Sequence, residues 1–203
     1  MGGYLVESMA ECHVESVAGL QRACFPEPFP AELLWQASHI RRHLSQFPGG
    51  QWVVQLDGQV VASCSNILCR ESDWESHKPF HEIAGSLGLE GHVAGGTVLY
   101  GIDISVHPGH RRKGLARLLY QSRFGFVRFN KLDRYGTVCR MPGYSASGES
   151  DPTHYAELVV GGTLTDATLT PLLRMGLAYK GVIMEYMEDQ ESGSAGAILE
   201  WKP

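Results

Sequence analysis

The sequence predicts an α/β fold in which helices flank a sheet of about seven strands. Two patterns and one junction predict it. Stretches of period-two alternation, such as Tyr100–Val106, are separated by stretches whose apolar residues recur three and four apart. Asp57-Gly58 stands between two apolar runs, and a two-residue Asp-Gly link in that setting is a strong hairpin signal. The junction is Leu99–Phe129, which reads as strand, loop and helix without interruption.

In chain order, Tyr4–Met9 reads as the first strand. Ala10–Phe25 reads as a helix with Val14, Val17, Leu20 and Cys24 near one face, stopped by Pro26, Pro28 and Pro30. Ala31–Leu44 is expected to form a second helix on Leu33, Leu34, Ala37 and Ile40. His39 and His43 lie four apart on it; with no third ligand in view they read as a solvated polar face. Gln51–Leu56 and Gln59–Leu68 are strands two and three. Residues 70–98 form an irregular, glycine-rich excursion holding Trp74, His77, His81, Glu82 and His92, with Phe80–Ala84 read as a strand inside it. The central strand follows, then a helix from Leu115 whose apolar face is expected to carry Leu118, Leu119, Ser122, Phe126 and Phe129. Tyr135–Met141 is the fifth strand. Asp151 caps a helix over His154–Val160, with Pro152 at a tolerated first position, and Asp166 caps another over Ala167–Arg174, ended by Gly176. Ala178–Met187 and Ala195–Trp201 close the sheet, with Glu188–Ser194 as an exposed loop. No repeat or linker divides the chain, so residues 1–203 read as a single domain.

Composition removes several classes of function. Hydrophobic residues make up 43% and charged residues 19%, enough for a real core. The net charge is −5, and the only dense basic cluster is Arg111–Lys113, so nucleic acid is not an expected partner. No stretch approaches the ~18 apolar residues of a membrane span. The N-terminal residues MGGYLVESMA lack the charged and apolar regions of a signal peptide, so the protein is expected in the cytoplasm. Five cysteines at scattered spacing, with no CxxC pair, read as reduced and mostly buried thiols, and no metal site is expected.

The loop at the junction is built for an anion. The first turn of a helix leaves its amides without intrahelical partners, and the helix dipole is positive there. Gly114 and Ala116 carry little bulk, and Arg111, Arg112 and Lys113 add charge. Neither GxxxxGK[ST] nor GxGxxG is present, so the loop is not a Walker or dinucleotide-binding loop. The string Val106-x-Pro108-x-x-Arg111-Arg112-x-Gly114-Leu115-Ala116-x-x-Leu119 resembles motif A of the GNAT N-acetyltransferase superfamily. The similarity extends through Cys24-Phe25-Pro26, Trp52-Val53-Val54, Leu56–Val61, Pro142-Gly143-Tyr144 and Leu199-Glu200-Trp201. Over these stretches the chain is similar to the GNAT domains that some bacterial proteins carry fused to a carbon–nitrogen hydrolase, here without the hydrolase.

That resemblance implies a central mixed, mostly antiparallel sheet of about seven strands, splayed between strands four and five. It implies acetyl-CoA as co-substrate, no metal, and direct acetyl transfer in a ternary complex to a primary amine of a small molecule or peptide. Ile104, Ser105 and Val106 would offer backbone groups to the pantetheine arm. Arg111, Arg112, Lys113, Gly114, Leu115, Ala116 and Arg117 would take the pyrophosphate. The excursion at 70–98 would lie on the acceptor side. Asp103, on the central strand one residue before the pantetheine-binding trio, is the leading candidate for general base, with Glu82 and His81 behind it. His107 and His110 are expected to shape the loop. The tyrosine that GNAT enzymes often use as general acid falls at Leu172. Tyr144, Tyr155 and Tyr179 are the substitutes, Tyr144 preferred. The missing tyrosine motivates an alternative, a catalytically weak or inactive domain that binds CoA as a sensor. Monomer and homodimer both remain open.

Overall fold

The computed structural model describes residues 3–27 and 29–203; Met1, Gly2 and Pro28, the last read above as one of three prolines stopping the first helix, lie outside the described residues. A seven-stranded sheet runs in the order β1-β2-β3-β4-β5-β7-β6, with β1 Leu5–Ser8, β2 Trp52–Leu56, β3 Gln59–Cys69, β4 Val98–Val106, β5 Arg134–Cys139, β6 Ala178–Ile183 and β7 Gly196–Trp201. All neighbouring strands are antiparallel except β4 and β5. The helices are α1 Val14–Cys24, α2 Ala37–Gln46, α3 Glu71–Glu75, α4 Phe80–Ala84, α5 Leu115–Phe129, α6 Tyr144–Ser147, α7 Pro152–Val160 and α8 Leu169–Arg174.

Strand residues alternate between two hydrophobic clusters, one on each face. Val54, Ala62, Cys64 and Leu99 join α5, α7 and α8, while Val53, Ile67, Val98 and Tyr100 join α1 to α4. Local chemistry accounts for the hinges. Asp57 and Gly58 have φ of 50° and 78°, the two positive values that a two-residue hairpin turn requires. Asp151 caps α7 by accepting the Thr153 N–H at 2.9 Å. Asp166 does more. Its Oδ1 accepts the N–H groups of Thr168 and Leu169 at 2.7 and 2.8 Å, and its Oδ2 accepts the Tyr155 hydroxyl at 2.9 Å and the Gly143 N–H at 3.0 Å. One buried carboxylate thus ties α8, α7 and the turn after β5 together.

Four expectations need correction. Phe80–Ala84 is a helix, because Phe80, Ile83 and Ala84 fall three and four apart and Pro79 starts a turn where a ladder N–H is missing. The second helix is broken: Ala31–Leu33 makes one 3₁₀ turn, Leu34 and Gln36 are extended, and α2 begins at Ala37. The break lets Trp35 drop into the core against His43, ring centroids 4.5 Å apart. His43 is therefore not on a solvated face. It is 1% exposed, its Nε2 donates to Leu87 O at 2.7 Å, and burial pushes its pKa down to about 4, so it is neutral. On α5 the buried stripe is Leu115, Leu119, Tyr120, Arg123 and Val127, while Phe129, the last residue of the helix, is 87% exposed.

Candidate functional site

The site begins where the sheet stops being continuous. β4 pairs with β5 only through Val98–Gly101 against Arg134–Thr137, so Ile102–Val106 has no strand on that side. A bulge in the β3–β4 ladder marks the same place: Ser65 pairs with Asp103 and Asn66 with Gly101, leaving Ile102 as the extra residue. Thr137 Oγ1 donates to Gly101 O at 2.9 Å and closes the base of the fork. Arg123, reaching up from α5 and 1% exposed, donates from Nη2 to Asp103 O at 2.6 Å and to Ser65 O at 3.4 Å. Its guanidinium carbon lies 4.8 Å from the Tyr120 ring and 5.3 Å from the Tyr135 ring. The fork is held open by a cation lying on two aromatic faces.

Two cavities meet at this fork, sharing Phe25, Ile104 and Tyr120 as a common wall. The larger, about 930 Å³, runs from Ile104, Ser105 and Val106 along the start of α5 to Arg128 and Trp201. Five arginines line it, Arg111, Arg112, Arg117, Arg128 and Arg174, with no carboxylate among its lining residues. That local excess of positive charge stands in a chain of net charge −5. The first intrahelical bond of α5 is Leu118 N–H to Gly114 O at 3.1 Å, and no side chain caps the helix. The amides of Leu115, Ala116 and Arg117 are thus without helical partners. Left-handed φ values at Arg112 (63°) and Gly114 (82°) curl the loop into a nest of N–H groups, an anion-binding concavity. The backbone that glycine permits, rather than its missing bulk, is why Gly114 is there, since a Cβ built on it meets nothing within 4 Å. A diphosphate fits this donor set.

The second cavity, about 410 Å³, is walled mostly by apolar side chains from the α1–α2 connection, the 70–98 excursion and α8. Asp103, Gln21, Arg123 and Thr137 are among its polar lining residues, together with His81, Arg140, Thr168 and Glu188. Asp103 is half-buried, and its Oδ2 accepts from Gln21 Nε2 at 3.1 Å and from Ser105 Oγ at 3.0 Å. Loss of water pushes its pKa up to about 6, against the opposing pull of Ser105, Arg123 and Gln21. Tyr120 stands at the junction, 3% exposed, and burial holds its hydroxyl well above the ordinary range and so protonated.

The residues singled out from the sequence divide clearly. Ile104, Ser105, Val106, Arg111, Arg112, Gly114, Leu115, Ala116 and Arg117 all line the arginine-rich cavity; Lys113 does not. Arg111 is turned back on the protein, donating to Val106 O at 3.2 Å and Cys24 O at 3.4 Å. His107 Nδ1 accepts the Gly109 N–H at 3.2 Å and so shapes the loop. Asp103 and His81 line the apolar cavity, but Glu82 lines neither, its side chain being 53% exposed beside His81. Tyr144 also lines neither cavity: its ring lies against Tyr155 and Gly193, on the far side of the turn after β5. Tyr155 is spent on Asp166, and Tyr179 faces neither cavity. Tyr120, Arg123 and Gln21 were missed. Tyr120 and Arg123 sit at core positions of a helix, and Gln21 inside another, so spacing alone marks none of them as functional.

Comparison with known proteins gives this geometry a family. A family model described as "Acetyltransferase (GNAT) family" matches residues 14–135, which include the fork and the nest. The chain belongs to the GNAT acetyltransferase family. This GNAT chain is 31% identical over 201 residues to "Uncharacterized N-acetyltransferase YkwB" of Bacillus subtilis (strain 168), covering 97% of the chain and 88% of the relative. It is 26% identical over 199 residues to "Probable hydrolase YhcX" of the same organism, covering 97% of the chain but only 38% of that longer protein. Among solved structures, the loading GNATL domain of CurA from Lyngbya majuscula superposes with a TM-score of 0.83 at 17% identity, covering 98% of both chains. The GphF GNAT-like decarboxylase in complex with isobutyryl-CoA superposes with a TM-score of 0.80 at 21% identity, again over 98% of both. The fold is the GNAT fold, and the parallel β4–β5 pair that opens after four residue pairs is its splay.

Proposed function

We propose that this GNAT chain transfers an acetyl group from acetyl-CoA to a primary amine, with both bound at once and Asp103 taking the amine's proton. The observation that carries the reading is the position of Asp103. It is a carboxylate raised to about 6, in the lining of one cavity and one residue before the strand segment that lines the other. A base is most useful with a pKa near working pH, and at pH 7 most of this group is ionised.

The remaining roles follow from the chain's own groups. The amides of Leu115, Ala116 and Arg117, with Arg112 and Arg117 beside them, hold the diphosphate. The unpaired edge of β4 at Ile104–Val106 receives the pantetheine arm as an added strand. When bound, the thioester supplies an activated acetyl group. Asp103 Oδ2 is engaged by Gln21 and Ser105, which leaves Oδ1 to take the amine's proton. Tyr120 Oη, at the meeting of the cavities, donates a proton to the departing sulfur, and the guanidinium of Arg123 against its ring favours the phenolate left behind. Tyr144 and Glu82 have no part in this reading.

The test is steady-state release of free thiol from acetyl-CoA across a panel of primary amines, with Tyr120→Phe alongside. Turnover, with kcat reduced about tenfold or more in Tyr120→Phe at unchanged KM, is the expected result. One observation favours a second reading. Leu172 lines the amine cavity at the position where the family resemblance places a general acid. Tight CoA binding with no turnover over the whole panel would identify a CoA sensor instead.

A further inference from the structure

We infer that the acceptor is a small primary amine bearing one positive charge on an apolar body, an arylalkyl or branched alkyl amine, rather than a polyamine or a basic peptide. The inference rests on reading the smaller cavity as the acceptor site and concerns what that cavity selects.

Three features of the cavity carry it. The first is its wall, to which Phe25, Phe29, Leu33, Trp35, Phe80 and Leu87 contribute apolar side chains. Trp35 and Leu87 are fixed from behind by one buried residue, His43, which packs on the Trp35 ring and donates to Leu87 O, so the wall is pre-formed. The second is charge. A polyamine needs a carboxylate for each ammonium group it buries. Among the described lining residues only Asp103 and Glu188 are acidic, and the Arg123 guanidinium opposes a second cation, while Arg140 is already taken up by Asp189 and Glu191. The third is the pairing of a held carboxylate with apolar wall. Asp103, with Gln21 and Ser105 bonded to it, offers a carboxylate to one ammonium, and the aromatic and aliphatic wall offers nothing to hydroxyls or amides laid against it, which would lose their water without replacement. An acyl chain would also suit apolar walls, but it has no use for the carboxylate.

The experiment is an amine series of nearly constant basicity, propylamine through hexylamine plus 2-phenylethylamine, against ethanolamine, spermidine and a lysine-rich peptide. Acetyl-CoA turnover gives kcat/KM, and calorimetry gives binding of each amine to the protein saturated with CoA. Each added methylene is expected to raise kcat/KM about fourfold until the cavity is full. Spermidine and the peptide should be at least tenfold poorer than hexylamine. Leu33→Ser should lower hexylamine binding several-fold more than propylamine binding. A flat series, or preference for spermidine or the peptide, overturns the inference while acetyl transfer stands. Chain-length dependence in acyl-CoA donors but not in amines also overturns it, because the cavity then holds the acyl group. Chain-length-dependent amine binding without turnover sustains the inference and removes the transferase reading instead. No binding of any amine overturns both.

Discussion

Replacing Asp103 with Asn separates the cost of this carboxylate from its use. Its pKa of about 6 lies above the ordinary 3.8, so the folded chain holds the proton more tightly than the unfolded chain. Folding therefore loses stability as pH rises through the window from 3.8 to about 6, the loss being absent below it and complete above it. At 1.36 kcal/mol for each pH unit, the full loss is about 3 kcal/mol. Asn keeps the shape and one acceptor oxygen but no charge. Allowing for poorer bonding to Gln21 and Ser105, Asp103→Asn should stabilise the protein at pH 7.5 by about 1–3 kcal/mol, roughly 2–10 °C in Tm. At pH 3.5 the gain should vanish. Turnover should move the other way: kcat/KM falling about 10²–10³-fold, and the rise in activity through pH 6 disappearing. The assays are thermal unfolding at the two pH values and a pH–rate profile by thiol release. A variant less stable than the parent at pH 7.5 would refute the burial argument. Full activity with an intact acid limb would refute the role as base.

Other expectations concern the frame around the base. Gly114→Glu puts a carboxylate among the five arginines and should raise the Kd for CoA tenfold or more, about 1.4 kcal/mol, whereas Gly114→Ala, with the same backbone strain and no charge, should weaken binding far less. Calorimetric titration with CoA distinguishes them. Gly101→Ala drives a Cβ into the buried Tyr135 hydroxyl and should cost about 1–3 kcal/mol in thermal unfolding. Tyr135→Phe in the same chain should return part of it, since that hydroxyl has no hydrogen-bond partner among the described residues while ring carbons Cζ and Cε2 still lie 2.8 and 3.0 Å from the new Cβ. Tyr144→Phe should leave kcat unchanged, because that ring lies outside both cavities.

How much of this was legible in the sequence depends on how local each cause is. The Asp57-Gly58 hairpin, the caps at Asp151 and Asp166 and the turn that leads into α5 are set by residues within a few positions of one another, and as local structure they stand as read. Phe80–Ala84 was misread because a five-residue apolar segment suits either period, and Pro79 decides it. His43 and Phe129 changed sides: Trp35 and Leu87, from outside its helix, cover the first, and the second is the last residue of α5 and stays exposed. At the site, Asp103 and the nest followed from one continuous stretch. Tyr120 and Arg123 did not, because on a helix wheel a buried tyrosine and arginine look like ordinary core and edge. Only the opening of β4 from β5 gives them a cavity to face.

The arginine-lined groove also sets how the protein meets its ligand in solution. Seen from a distance, a polyanion approaches a surface of its own sign, since the chain carries −5 overall. Near the groove the field reverses, within a few ångströms of the guanidinium groups. At 0.1 M ionic strength screening extends over about 10 Å, so added salt damps the outer repulsion before it reaches the inner contacts. On the proposed reading, capture of CoA is thus buffered against ionic strength, unlike capture by a uniformly basic protein, whose long-range attraction fades with every increment of salt.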